Sequence, residues 1–310
     1  MASPMTSTVP SARTQEGCYA LRDRSDVEGT EGTAVETFDS REHTASLWGP
    51  MQHGGPVAGL LTRAMDRLEH HPGSRITRVT VDLLGPVPVA PVRVTARVDR
   101  PGRRISLLSA VMEAEVDGGF RPVARSSAWR LATTPTDDVA WAAPSAMPAP
   151  PDTEDGPAAL GIPDSWSATG FVAATTWRFV ERAPDGDALP AAWLRLDRPL
   201  VEGEETTPLE RAVTLADTVN GIGMRLDPAE FTFLNTDLSV LLHTAPPEGD
   251  WCGFVAENAV GPDGVGTNSA VLHGAEGPVG RVTQNVLVER RASLGVAAGP
   301  STPIPEKVRS

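Results

Sequence analysis

The sequence predicts an α+β fold built twice, as two tandem units that each pack one long helix on an antiparallel sheet. Three observations predict it. The pattern HGGPVAGLLTRAMDRLE (53–69), VTVDLLGPVPV (79–89), GFRPVARSSAWRL (119–131) returns as TPLERAVTLADTVNG (207–221), FLNTDLSVLLHTAPP (233–247), GPVGRVTQNVLVE (277–289). Asp82 and Asp237 fall at matching places, as do Arg125 and Arg281, with spacings of 43 and 44 residues (125 − 82 and 281 − 237). A repeat this long implies two equivalent packed units rather than a solenoid of short ones. Finally, the stretch 133–165 holds seven prolines and little periodicity, as expected of a linker between units.

The elements follow in order. Residues 1–30 begin with a Ser-, Thr- and Pro-rich segment without an apolar core and are expected to be disordered. The first unit spans 31–132 and opens with a short strand over 34–46. Gly54 and Gly55 allow close backbone approach at the start of a helix whose Val57, Leu60, Leu61, Ala64 and Leu68 form one apolar stripe. His71-Pro72-Gly73 stops it. Strands are expected over 75–84, 91–100, 105–116 and 122–131, with turns at Arg100-Pro101-Gly102 and Asp117-Gly118-Gly119.

A linker over 133–168 leads to the second unit, 169–292, which opens with strands at 170–181 and 191–197. Thr207, Pro208 and Glu210 make an N-cap, a favoured first helical residue and a capping box. Gly221 and Gly223 end that helix, and strands follow at 230–243, 250–260, 266–273 and 279–290. Residues 293–310 read as a flexible tail.

The formal net charge of −13 argues against nucleic acid and anionic membranes as partners. No apolar run reaches the roughly 18 residues that span a bilayer. Two cysteines, Cys18 and Cys252, outside any CxxC pair fit a reducing compartment, the cytoplasm. The histidines lack metal-ligand spacing, so neither a metal nor a cofactor is expected. GxSxG, P-loop and GxGxxG motifs are missing, which leaves attack by a water molecule on a small electrophile.

Three polar residues break apolar faces in the second unit. Asp217 lies four residues after Val213, beside the stripe of Leu209, Val213 and Ala216. A buried carboxylate there needs partners. Gln284 alternates with Val282, Val286 and Val288, and Asn235 shares a face with Phe231 and Phe233. The first unit has Ala128 and Thr80 at the places of Gln284 and Asn235, so one reaction centre per chain is expected. Each amide alone is explained as a structural tie to backbone. Together, a carboxylate and two amides can hold one water for base-assisted attack. His53, ahead of Gly54 and Gly55, either caps the helix or lines a cleft and binds substrate.

These residues resemble the double-hotdog acyl-CoA thioesterases, the bacterial type II kind and its actinobacterial relatives. The resemblance rests on QHGGPVAGLLTRA and VTVDLLGPVPV in the first half, and on LADTVNG, LNTDLSVLLH and GRVTQNVLV in the second. It implies hydrolysis of an acyl thioester, carried on CoA or on an acyl-carrier protein, and a dimer of double hotdogs. It also implies that Asp217 takes a proton from water while Asn235 and Gln284 position that water. Asn235 departs from the hydroxyl residue of the family, although an amide can still donate or accept. Gly54 or Gly55 would supply an oxyanion donor, and Arg78, Arg103 or Arg104 would meet phosphates. Two alternatives stay open. One is another acyl reaction of a secondary-metabolite pathway, such as dehydration, cyclisation or chain release. A hotdog dehydratase needs a His paired with an Asp near the helix start; His53 is present and no Asp accompanies it in sequence. The other is a non-catalytic acyl-binding protein.

Overall fold

The computed structural model describes residues 16–26, 33–154, 169–180, 189–223 and 225–291. In the first unit β1 (Tyr19–Asp26) and β2 (Thr33–Ser40) precede two short strands, β3 (Ala45–Ser46) and β4 (Gly49–Gln52). Helix α1 (Gly54–Asp66) follows, then the meander β5 (Ser74–Leu83), β6 (Val92–Arg100), β7 (Ile105–Val116) and β8 (Gly119–Ala132). The second unit holds a one-turn helix α2 (Gly170–Ala173), β9 (Thr175–Phe179) and β10 (Ala191–Leu196). Helices α3 (Pro208–Ala216) and α4 (Val219–Ile222) come next. The chain then forms β11 (Phe231–Asn235), β12 (Asp237–Leu242), β13 (Trp251–Val260), β14 (Val265–Gly274) and β15 (Gly277–Arg290).

Among the described residues, thirteen strands form one sheet, ordered β1-β2-β6-β7-β8-β5-β12-β15-β14-β13-β10-β9, with β11 beside β15. The order is a palindrome of equivalents: β5 matches β12, β8 matches β15, and so outward to β1 and β9. The repeat read in the sequence is therefore a pseudo-twofold in space. Its axis falls where β5 and β12 pair antiparallel and Asp82 stands opposite Asp237, the repeat-matched pair. Two facing carboxylates repel. Each has its own partner instead: Arg125 Nε donates to Asp82 at 2.8 Å, and the backbone N–H of Asn285 donates to Asp237 Oδ1 at 2.8 Å.

Helix α1 is buried on every side from Gly55 to Met65, as a helix at the centre of a large core must be. It packs against β5–β8 and against α3. A Cβ on Gly55 would collide with the Thr214 carbonyl oxygen of α3, so the absence of a side chain sets the helix–helix distance. Gly55→Ala is expected to lower Tm. Overpacking against backbone, at the upper end of about 1–3 kcal/mol, outweighs the roughly 1 kcal/mol that alanine adds to a helix. An unchanged Tm would show that the two helices slide apart freely.

Several expectations change. Over residues 16–26 the N-terminal segment is ordered, with Cys18 and Tyr19 fully buried and β1 paired with β2, while 1–15 and 27–30 lie outside the described residues. The polar run LRDRSD concealed it, because Leu21 to Ser25 of this edge strand are all exposed and carry no apolar alternation. Helix α1 ends at Asp66, before His71, because buried Arg130 of β8 donates to the Met65 and Asp66 carbonyls and caps its C-terminus. The segment begun at 170 starts as helix α2 rather than as strand. The strand expected over 230–243 breaks at Thr236, and only its second part pairs with β5. Of the linker, the part up to Glu154 is described and lies on the second unit: Trp193 Nε1 donates to the Pro148 carbonyl at 2.9 Å. The tail over 293–310 lies outside the described residues.

Candidate active site at the junction of the two units

The two helices run so that the start of each meets the end of the other. Asp217 closes α3 as its C-cap and is 4% exposed. Thr218 forces the turn there, its hydroxyl bonded to the Leu215 carbonyl at 2.7 Å. The Asp217 carboxylate therefore meets the N-terminus of α1, where first-turn amides favour negative charge. A Cβ on Gly54 would come within 2.8 Å of Asp217 Oδ2, so only glycine lets the backbone close over the carboxylate.

Three side chains converge on that carboxylate. Asn235, the last residue of β11, donates through Nδ2 to Asp217 Oδ1 at 2.7 Å. Gln284 of β15 donates through Nε2 to the same oxygen at 3.0 Å. His53, from the other unit, places Nδ1 2.8 Å from Asp217 Oδ2. The same ring nitrogen stands 3.2 Å from the Gly55 amide, as an N-cap acceptor would. One nitrogen cannot donate and accept at once. A bare lone pair 2.8 Å from a carboxylate oxygen is repulsive, so the proton belongs between Nδ1 and Oδ2, and the shorter contact prevails.

The structure thus brings all six sequence-expected residues together: Asp217, Asn235, Gln284, His53, Gly54 and Gly55. It also separates their duties. His53, Gly54, Asp217 and Asn235 line a cavity of about 290 Å³. Gln284 does not. Its amide nitrogen is engaged by Asp217, and its Oε1 accepts from Asn268 Nδ2 at 3.1 Å. Asn235 has both amide hydrogens committed, to Asp217 Oδ1 and to the Asp237 carbonyl at 3.2 Å, which leaves its Oδ1 as the free acceptor. The rest of the cavity wall is mainly apolar and drawn from both units, with Trp48, Met51 and Val87 facing Trp177, Phe233 and Leu287, and Gln52, Thr218 and Asn220 among its polar members. The Trp48 and Phe233 rings meet edge to face with centroids 4.7 Å apart.

Sequence reasoning missed Asn268, although the signal was the one that exposed Gln284: an amide alternating with the buried Gly266, Ala270 and Leu272. Because Asn268 Nδ2 can only donate, it fixes which way the Gln284 amide faces. Asn268→Asp is expected to turn that amide around, set its oxygen against Asp217 and lower kcat by about tenfold or more. The conservative Asn268→Gln should fall between the variant and the native protein. Steady-state kinetics of the two variants checks this, and equal kcat in all three proteins would remove the role. Arg78 stacks on Trp129 at 5.9 Å and bonds Ser127, and none of Arg78, Arg103 and Arg104 lines the cavity. Among the described residues no group of three His, Cys, Asp or Glu side chains is gathered as a metal ion would need.

The opposite helix junction shows what the duplication made of the other place. Ten residues after each N-cap stand Asp217 in α3 (217 − 207) and Arg63 in α1 (63 − 53). Arg63, fully buried, donates to Glu36 at 2.6 Å and to Glu204 at 2.8 Å. Burial pushes the Glu36 and Glu204 carboxyls up, but Arg63, with Arg24 at Glu36 and Arg67 at Glu204, holds both below the ordinary carboxylate range. One junction is an ion cluster; the other holds a carboxylate at a cavity.

Comparison with known proteins agrees with this architecture. Among solved structures, a conserved protein with hot dog fold from Alicyclobacillus acidocaldarius is 18% identical, with 87% of this chain and 96% of that chain covered at a TM-score of 0.60. Acyl-CoA thioesterase II TesB2 from Mycobacterium marinum is 14% identical, with coverages of 89% and 97% and a TM-score of 0.58. The tesB protein of Mycobacterium avium subspecies paratuberculosis is 16% identical, with coverages of 87% and 96% and a TM-score of 0.57. These likenesses establish the hot dog fold. No curated protein matches significantly. Among the described residues no helix is long and apolar enough to cross a membrane. The family models of the acyl-CoA thioesterase N-terminal domain and C-terminal domain match residues 44–131 and 142–288, and the chain belongs to this double-hotdog acyl-CoA thioesterase family.

Proposed function

We infer that the protein hydrolyses acyl thioesters, presented on CoA or on an acyl-carrier protein, by base-assisted attack of water. The observation that carries this reading is the Asp217 carboxylate, held by donors from both units at the polar end of an apolar cavity. The acyl chain would occupy the apolar part, and its carbonyl would lie near Gly54, where the first amides of α1 can receive the developing oxyanion. In this reading Asn235 Oδ1 accepts a hydrogen bond from the attacking water. Gln284 and Asn268 hold Asp217 still. A volume of about 290 Å³ sits at the low end of small-molecule pockets, ~300–1,000 Å³, and favours short or medium acyl groups.

Release of free thiol from a panel of acyl-CoAs and acyl-carrier proteins of rising chain length tests the reading. Turnover that falls off with length is expected. No release from any substrate would end the hydrolase proposal.

One observation favours a second reading. The Asp that a hotdog dehydratase needs beside its His is present after all, supplied by the other unit: Asp217 against His53. The same pair suits removal of a proton from an acyl carbon, hence dehydration or cyclisation. Loss of water from a 3-hydroxyacyl thioester, with the thioester intact by mass, would identify that chemistry.

A further inference from the structure

We propose that the proton acceptor of this site is His53 Nε2, and that Asp217 acts behind it as the group that fixes its tautomer. The proposal rests on the hydrolase reading and moves the proton from the carboxylate to the imidazole.

Asp217 is poorly placed to receive a proton. Oδ1 already accepts from two amides, Asn235 and Gln284, and Oδ2 faces His53 Nδ1. The Gly54 backbone closes over the same oxygens. These contacts leave little approach for a water molecule to either oxygen. The imidazole has the opposite position. With Nδ1–H given to Asp217, the neutral ring carries its lone pair on Nε2. His53 lines the cavity, retains 18% side-chain exposure, and is fixed by the Phe171 ring 4.7 Å away. Nucleophilic water, base and orienting carboxylate then follow one line from cavity to interior.

The step balances without a further reactant. A water O–H bond breaks as its proton passes to Nε2, and the water oxygen forms a bond to the thioester carbon. The imidazolium lies against the Asp217 carboxylate, so no isolated charge is created. The tetrahedral intermediate then expels sulfur, the C–S bond breaks, and Nε2 returns the proton to the thiolate. The products are a carboxylic acid and a free thiol.

His53→Asn is the discriminating variant. Its amide nitrogen can still donate to Asp217, and asparagine is a good N-cap, so the start of α1 is kept. It has no lone pair to act as base. A drop in kcat of about 10²–10⁴-fold with little change in KM is the expected result. Turnover within about tenfold of native, while Asp217→Asn is inactive, would assign the proton to Asp217 and overturn the proposal, with the hydrolase reading intact. Long-range ¹⁵N–¹H correlation spectra of the native protein decide the matter without turnover. A His53 carrying its proton on Nδ1 supports the dyad even if no thioester is hydrolysed, and a proton on Nε2 overturns it.

Discussion

Changing Asp217 to asparagine is expected to lower thioester turnover by roughly 10³–10⁴-fold while leaving the fold intact. The substitution is isosteric and keeps Oδ1, so the amides of Asn235 and Gln284 retain their acceptor. What changes is the atom facing His53. A donating NH2 replaces Oδ2, and the ring answers by offering a lone pair on Nδ1, which puts its proton on Nε2. An imidazole in the wrong tautomer behind an otherwise complete site loses about 10⁴ in rate in the serine-protease pattern, which sets the scale used here. Asp217→Ala removes the acceptor as well and should be at least as slow. Thiol release measured beside circular dichroism separates the effects; a folded Asp217→Asn enzyme with near-native kcat would sink every role given to this carboxylate.

Arg63→Met should be strongly destabilising. The side chain is wholly buried and answers two carboxylates, one from each unit, so its removal leaves buried Glu36 with only the half-exposed Arg24 as its cation. Breaking a buried ion pair from one side costs about 3–5 kcal/mol, which urea unfolding at neutral pH should read directly. The acid side of the comparison has a definite sign. In the native protein Glu36 and Glu204 are held below the ordinary carboxylate range, so their contribution is present at neutral pH and lost as pH falls through those lowered values. In the variant Arg63 no longer opposes burial at either carboxyl, so less stability depends on their ionised forms. The gap between native and variant stability should therefore narrow as pH falls below the ordinary carboxylate range, and a gap that widened there would refute this account of the cluster.

Much of the architecture was legible because it rests on periodicity. The two helices, the two meanders and the repeat that relates them all show in patterns of apolar residues a few positions apart. Asp217 and Gln284 were legible for the same reason, as breaks in those patterns. What periodicity cannot show is which distant residues meet. His53 and Asp217 are 164 residues apart (217 − 53), and nothing local to either indicates the other. Asn235 shows the intermediate case. Its face was legible, but the strand break at Thr236, which turns its amide toward Asp217 and the Asp237 carbonyl, depends on tertiary pairing with β5 and β15. Strand β1 was hidden by its polar outer face, and α2 by a four-residue length too short for any helical stripe.

The two helix junctions differ in a way that identical subunits could not sustain. In a symmetric pair of single units, any substitution occurs at both junctions at once. A change that stiffened one would fill the other, and a catalytic set at one would weaken the packing of both. Fusion into a single chain uncouples them. The junction at Arg63 could drift toward a tight ion cluster while the junction at Asp217 stayed open to a cavity. Mutational tolerance should divide along the same line: a scan selected for folding alone would constrain the neighbours of Arg63, while at Asp217 it would constrain Gly54 and Gly55 and leave the side chains that face the cavity comparatively free.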